Sequence, residues 1–161
     1  MIIVSDTSPI INLAQINLLS LLPQLYGQII IPQAVYDEIV VKGAHESGAD
    51  EIKTAEWITV KSCKDLQLLN RLLIILDEGE AEAIVLAIEL GADRILMDEQ
   101  LGRQKAIEYK LRPIGVLGIL ISAKQNGMID FVKPHLDKLI HDAHFFIHPK
   151  LYNEVLKLVN E

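Results

Sequence analysis

The sequence predicts an α/β domain on a mostly parallel sheet. Short apolar runs alternate with longer segments of helical period along the chain. Several runs, QIII (28–31) and RILM (94–97) among them, are continuous rather than alternating, as expected of strands covered on both faces. Strands alternating with helices imply βαβ units, and hence parallel neighbours.

The candidate strands are Ile2–Val4, Gln28–Ile31, Trp57–Lys61, Arg94–Met97 and Arg112–Val116. Between them lie Ser8–Ala14, Pro32–Val41, Gly79–Leu90 and Leu101–Tyr109, each readable as a helix. Pro32 suits the first turn of PQAVYDEIV, since its missing N–H is not needed there. Gly91 follows the last periodic residue of EAEAIVLAIEL and suits a C-terminal cap. Lys42–Asp50, KGAHESGAD, reads as a loop or a short mobile helix. After Asn126 two further helices are expected, separated by HDAHFFIHP. The chain divides into a catalytic domain, 1–126, and a C-terminal helical extension of the same domain, 127–161, expected to cover the sheet edge or to help form a dimer.

Composition narrows the function. A chain of 161 residues with 50% hydrophobic residues is long enough for one sizeable core. The only cysteine is Cys63, so an internal disulfide or a cysteine metal knuckle is excluded and a reducing cytoplasm is the expected location. No basic leader precedes the first apolar residues, and no apolar run approaches the ~20 residues that span a bilayer. The net charge of −7 speaks mildly against a simple nucleic-acid binder but is compatible with a carboxylate metal site.

The acids are the informative residues. In a parallel α/β sheet, ligands bind beyond the carboxyl ends of the strands. Asp6 follows the first strand, and Asp98 follows RILM. Glu38 lies in the helix after the second strand, and Glu80 and Glu82 open GEAEAIVLA. Each has a structural alternative: Asp6 or Asp98 as a helix cap, Glu80 or Glu82 as a first-turn acid favoured by the helix dipole. Carboxylates converging on one sheet edge repel one another unless a cation sits among them. Mg²⁺ or Mn²⁺, which take oxygen ligands, is the expected ion, and such a site suits phosphodiester hydrolysis. At ~100° per residue Glu80 and Glu82 point in nearly opposite directions. Ala83 and Ala87 accompany Glu82, which makes Glu82 the expected inner acid and Glu80 an auxiliary one. Ser8 is expected to orient a carboxylate or a water. Arg103 is expected to contact a substrate phosphate or to pair with Asp98 or Glu99.

The motifs then resemble the PIN-domain nucleases. SDTSPIINLA resembles the opening block of that family, PQAVYDEI the second, EAIVLA the third and ILMDEQLGR the fourth, which matches its acids to Asp6, Glu38, Glu82 and Asp98. The order holds from Met1 to about Gly118. GEAEAI, DEQLGR and IGVLGILISAKQNGMI are similar to a VapC-like, toxin-related prokaryotic branch. The sequence departs from the commoner pattern with Glu as the third acid, Met97 before the fourth, and Gln100 where a further acid is frequent. The resemblance implies a three-layer α/β/α sandwich with a five-stranded sheet. It also implies a Mg²⁺- or Mn²⁺-dependent ribonuclease and toxin, a homodimer with an antitoxin partner. A catalytically silent PIN module that binds RNA or a protein is the alternative. Receiver domains and haloacid-type phosphatases fit less well, since Ser8 stands where the latter need a second Asp.

Overall fold

The computed structural model describes residues 1–161. Its strands are β1 (Ile3–Ser5), β2 (Ile29–Pro32), β3 (Ile58–Lys61), β4 (Arg94–Leu96) and β5 (Pro113–Ile114). They form one sheet in the order β3-β2-β1-β4-β5, and every neighbouring pair is parallel. The ten α-helices are α1 (Thr7–Gln15), α2 (Leu21–Tyr26), α3 (Gln33–Tyr36), α4 (Ala49–Thr54), α5 (Leu66–Leu72), α6 (Glu78–Leu90), α7 (Gln100–Glu108), α8 (Val116–Gln125), α9 (Lys133–His141) and α10 (Pro149–Leu158). A π-helical turn, Asp37–Lys42, continues α3. No helix is long and apolar enough to cross a membrane.

The strands are buried on both faces, which is why they read as unbroken apolar runs. Successive residues point to opposite sides of a strand. Ile3 therefore joins a core of 23 buried residues on one face, with Leu96 of β4 and residues of α1, α2, α3, α4 and α8. Val4 joins a second core of 13 residues on the other face, with Ile95, Met97 and residues of α5, α6 and α7. The result is the three-layer α/β/α arrangement expected from the sequence.

Three sequence expectations change at their edges. The fifth strand is only two residues long, because Gly115 takes the N-cap position of α8 and the Val116 N–H donates to Asp98 Oδ1 rather than to the ladder. Lys42 ends the π-helical turn, and after a run of turns Ala49 opens α4. Helices α2, α5 and α8 occupy stretches that the apolar periodicity leaves unassigned.

The C-terminal helices belong to the larger core. Val132, Leu136, Leu139, Ile147, Val155 and Val159 pack in the same cluster as Ile119, Leu120 and Ala123 of α8. The last residue ties the tail down. Glu161 accepts hydrogen bonds from the backbone N–H groups of Val132 and Lys133 and pairs with Lys124 at 2.9 Å. Lys124 also donates to the Val159 carbonyl at 2.6 Å.

Leu139, in α9, is fully buried. Leu139→Ala should therefore destabilise the whole molecule by roughly 2–5 kcal/mol in one cooperative urea transition. A separate early transition for the tail would show that 127–161 folds on its own.

Candidate metal centre at the switch point of the sheet

The strand order reverses direction between β1 and β4, which makes their carboxyl ends the topological switch point where such sheets bind ligands. Ser5 pairs with Leu96 across these strands, and the Asp6 N–H donates to the Leu96 carbonyl at 2.9 Å. Asp6 and Asp98 thus leave the sheet side by side.

Asp6 is only 3% exposed. It stands at the N-cap position of α1, yet its side chain makes no capping hydrogen bond. The cap reading therefore does not account for it. Burial, eased by the Thr7 backbone N–H and reinforced by the charges of Asp77, Glu80 and Glu38, pushes its pKa up to about 8.

Glu38 reaches the same place from the π-helical turn, a backbone form enriched at functional sites. Its carboxylate accepts a hydrogen bond from the Thr7 hydroxyl at 2.8 Å. Thr7, rather than Ser8, is the hydroxyl that holds an acid. Gly79 explains how close the two acids come. A Cβ on Gly79 would lie 3.2 Å from Asp6 Oδ1 and 3.3 Å from Glu38 Oε2. Any larger residue at the first turn of α6 would crowd both carboxylates.

Glu80 completes this group. It is 6% exposed and forms a capping box with Asp77: the Glu80 N–H donates to Asp77 Oδ1 at 2.8 Å, and the Asp77 N–H donates to Glu80 Oε1 at 3.2 Å. The capping box is the structural alternative considered for this acid, but it uses only one carboxylate oxygen. Oε2 lies 3.0 Å from where a Cβ on Gly102 would stand. Burial and the neighbouring Asp77 and Glu99 charges, partly offset by the Asp77 N–H, push the Glu80 pKa up to about 7.

Glu82 faces elsewhere. Its Oε1 accepts from the Ala34 N–H at 3.2 Å, in the first turn of α3. Burial, with Glu78 and Asp37, holds its pKa above the ordinary value, against the pull of that N–H.

Asp98 is half-buried and fully engaged. Oδ1 accepts from the Val116 N–H at 2.8 Å, at the start of α8, and Oδ2 accepts from Asn12 Nδ2 at 3.1 Å. Burial raises its pKa, opposed by these two donors and by Arg103. Gly115 permits this seat, since a Cβ there would sit 2.7 Å from Asp98 Oδ1. Arg103 donates to the Met97 carbonyl at 3.0 Å and makes no ion pair with Asp98. Glu99 is exposed at the N-cap of α7, and Ser8 is half-buried in the first turn of α1.

The structure therefore gathers Asp6, Glu38 and Glu80, with Asp77 beside them, and seats Asp98 next to the group. The donor set fits a hard divalent cation. It consists of carboxylate oxygens, and Asp6 and Glu80 resist ionisation through burial and mutual repulsion that a double positive charge relieves. As the side chains stand, no three His, Cys, Asp or Glu residues are arranged to hold a metal ion.

A wholly parallel sheet with carboxylates at its switch point defines a doubly wound α/β protein with an acidic candidate site. The chain belongs to the PIN-domain family: residues 2–161 match the family model DUF3368, described as a PIN domain. The match takes in the C-terminal helices as well as the motif blocks. PIN domains are generally nucleases that use divalent metal ions. No curated protein and no solved structure matches the chain.

The pH dependence of stability follows from Asp6. Its folded pKa lies far above the ordinary value of 3.8, so folding takes up a proton between about pH 4 and pH 8. Stability is fully present below that window and is lost as pH rises through it, by about 1 kcal/mol per pH unit. In chelator-treated protein, urea unfolding across the window should show this slope, and Asp6→Asn should reduce it to the part contributed by Glu80.

Proposed function

We propose that this chain is a Mg²⁺- or Mn²⁺-dependent endoribonuclease, the toxin of a toxin–antitoxin pair that works as a homodimer with an antitoxin protein partner. The observation that carries the catalytic part is Asp6, a buried carboxylate at the end of the central strand with acids on several sides and no capping role. Exposed apolar residues such as Ile74, Phe131 and Phe146 give a second copy or a partner something to bury.

Asp6, Glu38 and Glu80 are the residues that would hold the ion, with Asp98 beside them. Glu82, the inner acid on sequence grounds, is assigned instead to the first turn of α3, because it bonds the Ala34 N–H. Once bound, a divalent cation polarises a phosphoryl group and lowers the pKa of an attacking water.

The remaining residues orient the site. Thr7 fixes the Glu38 carboxylate, and Asn12 and the Val116 N–H fix Asp98. Arg103, anchored on the Met97 carbonyl, is the cation best placed to meet an incoming phosphate. Without a cation the clustered acids repel that phosphate, so substrate and ion are expected to bind together. A silent module that binds RNA or a protein is the second reading. It is favoured by one observation: both Asp98 oxygens are already committed to hydrogen bonds within the chain.

Mn²⁺ should raise the melting temperature of the parent, and Asp6→Asn should abolish that rise. Removing groups that merely support a metal ligand costs ~10–100-fold in activity. Asp6→Asn and Glu80→Gln should therefore lose roughly 100-fold or more of RNA cleavage, with products bearing a 5′-phosphate and a 3′-hydroxyl. Glu82→Gln should lose far less. Equal losses at Glu80 and Glu82 would restore Glu82 to the site, and a parent that binds Mn²⁺ but leaves RNA intact would favour the silent module.

A further inference from the structure

The end of the sheet opposite the acids carries the reverse charge. Arg94 opens β4, and Arg112 immediately precedes β5. Ile95 pairs with Pro113, and the Ile95 N–H donates to the Arg112 carbonyl at 3.1 Å. One residue earlier in this register, Arg94 stands beside Arg112, with about 4.8 Å between the two strands. The two side chains leave the same face of the sheet. Leu96 belongs to the larger core and Ile114 packs against it. Residues two apart on a strand share a face, so Arg94 and Arg112 lie on that side as well. Four residues of extended chain separate Arg94 from Asp98, about 13 Å at ~3.3 Å per residue.

Neither arginine is neutralised within the chain. Acids outnumber bases 22 to 15. Yet the ion pairs are Lys105–Glu108, Lys124–Glu161 and Lys133–Asp137, and Arg94 and Arg112 are exposed and enter none of them. The acids nearest to them in sequence are engaged elsewhere. Asp93 accepts a hydrogen bond from the Ile2 N–H at 2.6 Å, and Glu108 pairs with Lys105 at 3.0 Å. Exposed Lys110, just after α7, adds a third cation two residues before Arg112. Like charges on adjacent strands repel, and an anion between them relieves that repulsion.

Tyr26 adds a donor of a different kind. It ends α2 and packs against the same core. Burial pushes its phenol pKa up and the Arg94 charge pulls it down, so the phenol lies within the field of that guanidinium. A phenol O–H donates readily to an anionic oxygen.

The chemistry of these groups selects the anion. Each guanidinium offers a rigid fork that meets two oxygens of one phosphoryl group in parallel hydrogen bonds. A phosphoryl group has oxygens enough for two forks and a phenol, whereas a carboxylate presents only two. We infer that Arg94 and Arg112, with Tyr26, form a phosphoryl-binding seat at the amino end of the sheet. The phosphoryl group is supplied by an RNA backbone or by a small free phosphate. The seat is separate from the acidic edge, needs no metal, and stands independently of the nuclease reading.

The test is a phosphorus NMR titration with inorganic phosphate, in the presence of chelator, on the parent and on the double variant Arg94→Gln/Arg112→Gln. Both side chains are exposed, so the variant keeps its cores, and its melting temperature verifies that it is folded. Loss of the charge-assisted hydrogen bonds of even one guanidinium lowers affinity at least about 10-fold. The double variant should show that loss or a greater one. Unchanged phosphate affinity in the folded variant would overturn the seat. Poly-glutamate that binds the parent as tightly as an oligoribonucleotide of equal length, and is lost in the same variant, would also overturn it and mark the edge as a seat for acidic peptide. The salt dependence of binding by a labelled oligoribonucleotide separates the two sources. Each phosphate contact to a single strand contributes ~0.7 to the slope of log affinity against log salt. A slope shallower by about 0.7 or more in the double variant assigns the seat to an RNA backbone. An unchanged slope alongside lost phosphate affinity assigns it to a small free phosphate.

Discussion

The structure depends on a carboxylate placed where water hardly reaches it. Asp6 ends the central strand, is almost fully buried, and has three other acids raising its pKa. A buried, unpaired carboxylate opposes folding when it is ionised, and it persists only if something else compensates. Within the chain that compensation is slight: one backbone N–H eases the charge, and no side chain neutralises it. The compensation is proposed to come from outside, as a divalent cation.

The rest of the molecule can be understood as the scaffold that such a placement requires. A wholly parallel sheet aligns the carboxyl ends of β1 and β4, and the reversal of strand order leaves space between the connections there. Helices from both faces then converge on that space. The π-helical turn brings Glu38, the capping box of α6 brings Glu80, and α1 contributes Thr7 and Asn12 as supports. A side chain at Gly79 would crowd the Asp6 and Glu38 carboxylates, and one at Gly115 would collide with Asp98. Stability contributed by the two cores, one on each face, offsets the strain of this acidic edge.

Much of the fold was legible because parallel strands leave a plain signature: short apolar runs with no alternation, each followed by a helix. The missed helices have clear physical reasons. Helix α2 carries Pro23 and only six residues, α5 sits in a run so rich in leucine that no face stands out, and α8 begins at Val116, the last residue of an expected strand. The candidate site was legible as a set of acids, and the proposed choice of Glu80 over Glu82 rests on hydrogen bonds that periodicity does not show. Periodicity shows that Glu80 and Glu82 diverge, and the alanines behind Glu82 suggested that it faced inward. Helix α6 is buried almost all round, however, so small residues do not mark one inner face. Phase was fixed by the Asp77–Glu80 capping box, whose sequence signal, an acid three residues before a Glu, was available in DEGE. Thr7 and Asn12 gave no such signal, because their partners lie 31 and 86 residues away.

The central claim is that Asp6 is a cation ligand held in readiness by its surroundings. The most direct test is an NMR titration of the Asp6 carboxyl carbon, with and without Mg²⁺. The account predicts half-protonation near pH 8 in metal-free protein, as burial and the surrounding acids dictate. It predicts a fall toward the ordinary carboxylate range when Mg²⁺ is added, because a nearby cation favours the ionised form. A carboxyl that titrates near pH 4 in both samples, unmoved by the ion, would contradict it.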